Sequence, residues 1–286
     1  MKVLVTGASG QLGRTLRRIA PEFIYSDIAG EGIEYLDITD AAAVGAFVDS
    51  KGIDVIVNCA GYTNVDGAED NPDAAFLINA TAVGNLARAI KARDGLLVHV
   101  STDYIFGGEQ LGSPIKEDAK PSPLGVYGRS KLAGEEEISE AGVKHLIFRT
   151  AWLYSEYGKN FVKTIRTLST SKNSLRVVSD QLGTPTYAGD LAEVILLALD
   201  KYAAGDLRPG VYNYTDEGVA SWFDFARAVV ALSGNTTCRV EPCRTGEFPA
   251  KAARPAYSVL DKTLVKETFG IEIPHWYFSL QRFMAE

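Results

Sequence analysis

Five apolar runs, "KVLVTG", "FIYSD", "DVIVNCA", "LLVHVS" and "HLIFRTAWLY", recur along the first 154 residues with helix-length segments between them. Their β-branched residues run on without a polar residue at every second place. Strands of that composition suit burial on both faces, as in a parallel sheet flanked by helices. The intervening segments, "QLGRTLRRIA", "AAAVGAFVDSKG" and a predicted helix from about Pro72 to Arg93, are the crossovers such a sheet requires. The pattern therefore predicts an α/β fold on a doubly wound parallel sheet, with residues 1–150 as its first domain. Beyond Trp152 the rhythm loosens into a helix at Asn160 to Leu168, a strand at Leu175 to Val178, a helix at Asp190 to Leu199, then "GVYNYTD" and "SWFDFARAVVALSG". Residues 151–286 read as a smaller α/β lobe. No linker or repeat separates the two, so they should interleave, with about 172–212 crossing back to the first domain.

Charge narrows the partners. A net charge of -7 over 286 residues gives no general attraction to nucleic acid or an anionic membrane, and leaves room only for a local basic pocket. The start, "MKVLVTGASG", has neither the length of a spanning helix nor a cleavage pattern, so a cytoplasmic location without a membrane partner is expected. Cys59, Cys238 and Cys243 match no metal spacing, and His99, inside a strand, reads as a core or interface imidazole.

In "VTGASGQLG", Gly7, Gly10 and Gly13 follow the first strand and open a helix near Gln11. Glycine there permits a tight turn, close approach of backbone to a pyrophosphate and tight helix packing, while the helix N-terminus offers free amides to phosphates. Alone, the spacing is also that of an ordinary turn. Asp27, ending the second strand twenty residues after Gly7, adds a carboxylate suited to the hydroxyls of an adenosine ribose. Together they predict a Rossmann-type dinucleotide site. Asp27 would repel a 2′-phosphate and "SDIAGEG" holds no basic residue, so charge leans to NADH; Arg14, Arg17 and Arg18 on the preceding helix keep NADPH open. Asp37 and Ile38 suit the adenine, and Asp37 equally suits a helix cap.

"LGVYGRSKLAGEEE" sets Tyr127 four residues before Lys131, and helical residues at that spacing share a face. A phenol, with an ordinary pKa of about 10, exchanges protons more readily when a nearby cation stabilises its phenolate. The same ammonium can bond a nicotinamide ribose. Such pairs are common on helix surfaces. Here Ser101 and Thr102 end a central strand twenty-five residues before Tyr127, at the edge where open α/β sheets bind ligands, so a hydroxyl can polarise a substrate carbonyl. Simple turn chemistry is the other use for these hydroxyls.

Together these pieces resemble the short-chain dehydrogenase/reductase superfamily and, in its extended branch, the dTDP-4-dehydrorhamnose reductase family. Matching stretches run along nearly the whole chain, among them "GASGQLG", "DVIVNCAGYTNVDGAE", "VSTDYIFGG", "YGRSKLAGE", "RTAWLYSEYGKNFVKTI", "VVSDQLGTPTY" and "RPAYSVLDKTLVKETFG". The resemblance implies catalysis by Thr102, Tyr127 and Lys131, with cofactor contacts at Gly10, Gln11, Leu12, Asp27, Asp37, Ile38, Gly61, Tyr62, Thr63, Tyr127 and Lys131. It implies sugar contacts at Thr102, Asp103 and Trp152, the indole serving as a flat apolar wall. Asn160 would bond a diphosphate or sugar hydroxyl, or cap a helix. Lys251 and Arg254, in a stretch from Phe248 to Ser258 without an acid, would grip a diphosphate or form a solvated basic loop.

The activity implied is NADPH- or NADH-dependent reduction of a dTDP-linked 4-keto-6-deoxysugar, dTDP-4-dehydro-6-deoxy-L-mannose, to dTDP-L-rhamnose. The 151–286 lobe would bind the nucleotide sugar. Another nucleotide-sugar reductase or epimerase, or a non-catalytic regulatory subunit using this fold, are the alternatives. Some members of the family are similar to magnesium-linked homodimers; the candidate Mg2+ ligands here, Asp190 and Glu193, equally suit the first turn of a helix.

Overall fold

The computed structural model describes residues 1–107, 112–206, 208–235 and 237–285. The first part runs β1 (Val3–Thr6), α1 (Gln11–Ile19), β2 (Ile24–Asp27), β3 (Glu34–Tyr35), α2 (Ala41–Lys51), β4 (Val55–Asn58), α3 (Val65–Asp70), α4 (Pro72–Phe76), α5 (Ala82–Lys91), β5 (Leu96–Thr102), α6 (Val126–Ala141) and β6 (Lys144–Thr150). The remainder adds β7 (Leu153–Tyr154), α7 (Phe161–Ser171), β8 (Ser174–Val178), β9 (Leu182–Gly183), β10 (Thr186–Tyr187), α8 (Ala188–Ala203), β11 (Gly210–Asn213), β12 (Ala220–Ser221), α9 (Trp222–Leu232), β13 (Arg239–Cys243), α10 (Thr263–Phe269) and α11 (Trp276–Ala285). Among the described residues, seven strands form one parallel sheet in the order β11, β6, β5, β4, β1, β2, β3.

The continuous apolar runs are explained by their place. Every residue of β1 and β4 is buried, because both strands are central and carry helices on each face. One layer joins Leu12 and Leu16 of α1 to Leu191 and Ile195 of α8 and Phe269 of α10. The opposite layer joins Val44 and Val48 of α2 to Leu86 and Ile90 of α5 and Ile138 of α6. Helix ends follow local chemistry: the Asp40 carboxylate accepts the Ala42 and Ala43 amides at the start of α2, and Gly52, with φ 65°, ends it.

Two elements differ from the sequence expectation. The helix predicted over 72–93 is interrupted by a widened turn at Leu77–Thr81. That turn holds buried Asn79, whose amide bonds both the N–H and the carbonyl of Tyr62 and the Ser130 hydroxyl of α6. It also meets α6 so closely that a Cβ on Gly134 would lie 2.1 Å from the Asn79 carbonyl oxygen. The run "HLIFRTAWLY" is two strands, broken at Trp152, which has a left-handed φ of 49°.

In the smaller lobe three short pairs, β7 with β10, β9 with β12 and β8 with β13, surround a core that includes Tyr154, Phe225, Trp276 and Leu280. Within 172–212, α8 packs on the first layer and β11 pairs with β6, whereas β8 pairs with β13. No helix among the described residues is long and apolar enough to cross a membrane.

One buried ion pair ties α6 to the sheet. Arg149 of β6 meets Glu135 of α6 through Nε at 3.1 and 3.2 Å and an NH2 group at 2.7 Å, and the two side chains are 6% and 7% exposed. The remaining Arg149 nitrogen donates to the Glu117 carbonyl at 2.8 Å, and Ser101 Oγ donates to Glu135 at 2.5 Å. Removing one member of such a pair strands a charge in the interior. Arg149→Met is expected to lower unfolding free energy by about 3–5 kcal/mol in urea titration; a loss below about 1 kcal/mol would show that the carboxylate finds solvent or a proton at little cost.

Candidate active site

The chain leaves β1 for β2 and β3 on one side and then fills the sheet through β4, β5 and β6 on the other. The strand order therefore reverses at the carboxyl ends of β1 and β4, where open α/β sheets form a binding crevice. Gly7 has a φ of 70°, and a Cβ there would lie 2.5 Å from the Ala60 nitrogen, so the two loops meet backbone to backbone. A Cβ on Gly13 would lie 2.3 Å from the Gly7 carbonyl oxygen, which makes Gly13 a packing residue between α1 and its loop, away from the crevice wall. Gly10 caps α1 without a side chain and, with Gln11 and Leu12, brings first-turn backbone to the crevice. The missing Cβ atoms and the amides fit a pyrophosphate.

The crevice consists of an outer cleft of about 400 Å³ and an inner cleft of about 510 Å³, which share Gly10, Cys59, Ala60 and Gly61. Asp27, Asp37 and Ile38 line the outer cleft. Asp27 accepts the Ser9 amide at 3.0 Å and the Ile28 amide at 2.8 Å. Asp37 accepts both the amide and the hydroxyl of Thr39, which hold its carboxyl below the usual range. Among the described residues lining this cleft none is lysine or arginine. Arg14 lies over the Tyr157 ring at 4.4 Å, and Arg17 donates to the Glu31 and Gly32 carbonyls. Tyr62, expected at the cofactor, lines neither cleft. Its backbone is held by Asn79, and its ring joins Tyr127 against Ala68, Ala75 and Val126.

The inner cleft gathers Thr63, Thr102, Asp103, Tyr127, Lys131, Trp152 and Asn160 on its walls. Thr102 ends β5, and Tyr127 and Lys131 stand on the first two turns of α6. Burial pushes the Tyr127 phenol up to about 12; a hydrogen bond with Thr102 opposes this and the nearby Asp103 charge adds to it. The expected ammonium contact to this phenol is replaced by another arrangement. Lys131 Nζ donates to the Val100 carbonyl at 2.7 Å and lies 3.3 Å from His99 Nε2, and burial pushes its pKa down to about 8. Asp103, 1% exposed, receives the Thr102 hydroxyl at 3.1 Å; burial raises its carboxyl to about 6, and hydrogen bonds with Ser258 and Thr102 act against that rise.

Trp152 stacks on Trp222 of α9 with ring centres 3.6 Å apart, and the two indoles wall the cleft. Gly183 makes this possible, since a Cβ there would stand 2.8 Å from the Trp152 ring. Asn160 lines the cleft while capping α7: its oxygen accepts the Lys163 amide at 3.0 Å and its nitrogen donates to Gln11 and to the Ser155 carbonyl. A third cleft, of about 450 Å³, shares Tyr104 and Trp222 with the inner one and is lined by Phe161, Leu168, Leu175, Val177, Phe248 and Arg254. Lys251, expected beside Arg254, is not on its wall; it pairs with Asp70 on α3 at the surface. Arg254 pairs with Asp66 at 3.0 Å.

The candidate magnesium ligands are otherwise engaged or unaccompanied. Asp190 binds Ser279 at 2.6 Å and Arg282, and no group of three or more His, Cys, Asp or Glu side chains able to hold a metal occurs among the described residues. Tyr104, Lys159 and Trp222 line the clefts without having been singled out in the sequence. Lys159 adjoins Asn160 in "GKNF" and Tyr104 adjoins Asp103 in "VSTDYIFGG", so both lie within the motifs; Trp222 is brought in only by the fold.

The whole chain, residues 1–286, matches the family model described as RmlD substrate binding domain. It is 38% identical over 290 residues to the dTDP-4-dehydrorhamnose reductase of Aggregatibacter actinomycetemcomitans, covering 99% of this chain and 98% of that protein. It is 41% identical to a probable dTDP-4,6-dihydroxy-2-methyloxan-3-one 4-ketoreductase of Streptomyces antibioticus, covering 98% and 94%. A crystal structure of the Bacillus anthracis dTDP-4-dehydrorhamnose reductase in complex with NADP superimposes with a TM-score of 0.89 at 36% identity, covering 99% of this chain and 98% of that one. The chain therefore belongs to the dTDP-4-dehydrorhamnose reductase family.

Proposed function

We propose that the chain uses NADH or NADPH to reduce the 4-keto group of dTDP-4-dehydro-6-deoxy-L-mannose, giving dTDP-L-rhamnose. The observation that carries this reading is the meeting of Thr102, Tyr127 and Lys131 on a cleft continuous with the glycine-lined crevice. Gly7, Gly10, Gln11 and Leu12 would hold the pyrophosphate, Asp27 the adenosine ribose, and Asp37 and Ile38 the adenine. A reduced nicotinamide bound in the inner cleft supplies the hydride. Thr102 and Tyr127 bond the ketone oxygen, and a phenol held at about 12 stays protonated at neutral pH, so Tyr127 arrives as a proton donor. Its proton passes to the oxygen as the carbonyl carbon is reduced, and Lys131 offsets the phenolate charge left behind. Trp152 and Trp222 flank the sugar, the apolar third cleft takes the thymine, and Arg254 the diphosphate. A cytoplasmic location accords with both substrates being soluble nucleotides.

Tyr127→Phe is expected to bind dinucleotide normally, by fluorescence titration, while kcat falls about 100-fold or more; undiminished turnover removes the tyrosine from the proton-donor role. Asp27 makes NADH at least as good a donor as NADPH, and Asp27→Ser should move the ratio of the two kcat/KM values towards NADPH by about tenfold. A wild-type preference for NADPH that this change leaves in place would refute the charge argument. With a panel of dTDP-4-keto-6-deoxysugars, reduced-nicotinamide absorbance should disappear in step with product. Faster turnover of a 2-methyloxan-3-one substrate would point instead to the activity named for the Streptomyces relative, and product without loss of absorbance to an epimerase.

A further inference from the structure

His99 sits in the middle of β5 with no exposed surface, and both of its ring nitrogens are engaged. Nδ1 lies 3.0 Å from the Asn58 amide nitrogen and Nε2 lies 3.3 Å from Lys131 Nζ. The orientation of that amide is fixed independently. Its oxygen accepts the Ala60 backbone N–H at 3.1 Å and the Thr6 hydroxyl at 2.6 Å, and a backbone N–H can only donate. The NH2 group of Asn58 therefore points at His99 and donates, so Nδ1 carries a lone pair. Burial drives the imidazole well below its usual pKa, so the ring is neutral and, with Nδ1 accepting from Asn58, its one proton is on Nε2. That N–H is aimed at Lys131. An ammonium has no lone pair to receive it, whereas a neutral amine can accept it and still donate to the Val100 carbonyl.

We propose that the buried chain Thr6–Asn58–His99 is a tautomer lock that parks Lys131 as a neutral amine against the sheet, so that taking up a proton obliges it to leave His99 and turn towards Tyr127. Asn58 and His99 are then positioning residues that act through Lys131. The groups facing the amine from each neighbouring element are compatible with this. Glu135, one turn along α6, favours the ammonium, but Arg149 and Ser101 already occupy its carboxylate. Cys59, beyond β4, is pushed up to about 12 by burial and stays a neutral thiol, and Tyr127 stays a neutral phenol on the same ground. The Asp103 charge acts on the phenol, which it helps to keep protonated. Because burial brings Lys131 down to about 8, the parked and turned forms exchange close to physiological pH.

What the lock does for turnover rests on the reductase reading, whereas the lock itself does not. The test therefore uses the full chain without coenzyme or sugar, and its failure leaves the reductase reading standing. Nitrogen-15 NMR of the His99 ring, assigned by loss of the signal in His99→Gln, should show the Nε2–H tautomer. Asn58→Asp places a carboxylate, which only accepts, opposite Nδ1. It should turn the ring to the Nδ1–H tautomer and let Nε2 receive an ammonium proton. The Lys131 titration, followed by its side-chain carbon-13 signal and assigned with Lys131→Arg, should then move to about tenfold lower proton concentration. A wild-type Nδ1–H tautomer overturns the proposal, as does a lysine titration that stays put while the tautomer exchanges. If Asn58→Asp does not fold, the wild-type tautomer decides alone.

Discussion

The position of α6 depends on one pair of charges placed where water does not reach. Tyr127, Lys131 and Glu135 follow one another at four-residue spacing and so face the sheet together. The last of them is fastened as an ion pair, by the guanidinium of Arg149. Buried ion pairs add little net stability against an apolar substitute, but they are exacting about geometry, because any displacement leaves both partners uncompensated. Ser101 donates to the same carboxylate, so the strand end that carries Thr102 and the helix that carries the phenol are measured from a common point. The close approach of Gly134 to the Asn79 carbonyl sets α6 against the widened turn beside it, and the ion pair ties it to β6.

That anchoring separates three protonation tasks within one cleft. The phenol is buried enough to keep its proton, the Asp103 carboxyl is lifted by burial towards neutrality, and the lysine is lowered towards it. Groups with pushed-apart or pushed-together pKa values gather where chemistry is done, and here they share a wall with the hydroxyl of Thr102. The dinucleotide end is organised by absence instead. Two glycines remove Cβ atoms where backbones touch, and the outer cleft relies on carboxylates and amides.

Much of this was legible in the sequence because it is local. Continuous apolar runs report burial on both faces of a strand, glycine spacing reports a turn, and a tyrosine four residues before a lysine reports a shared helix face. Three departures from the expected arrangement have physical causes. The helix expected over 72–93 contains a widened turn because tertiary contacts to Tyr62 and Ser130 hold Asn79 inward, and helix propensity carries no trace of such contacts. Lys251, in a stretch free of acids, pairs at the surface with Asp70, distant in sequence, and does not join Arg254 on the wall of the third cleft. The lysine was expected to lean on the phenol, and only the fold reveals that His99, read as a plain core imidazole, competes for it.

The paired indoles of Trp152 and Trp222 come from segments seventy residues apart, one on a left-handed backbone kink and the other on the first position of α9. Neither ring can shrink or grow without leaving its partner half-covered, and Gly183 leaves no spare volume behind them. If the indoles flank the sugar as proposed, a lineage adapting this fold to bulkier or more polar hexoses would be expected to change the three positions as a set, leaving a joint signature at 152, 183 and 222.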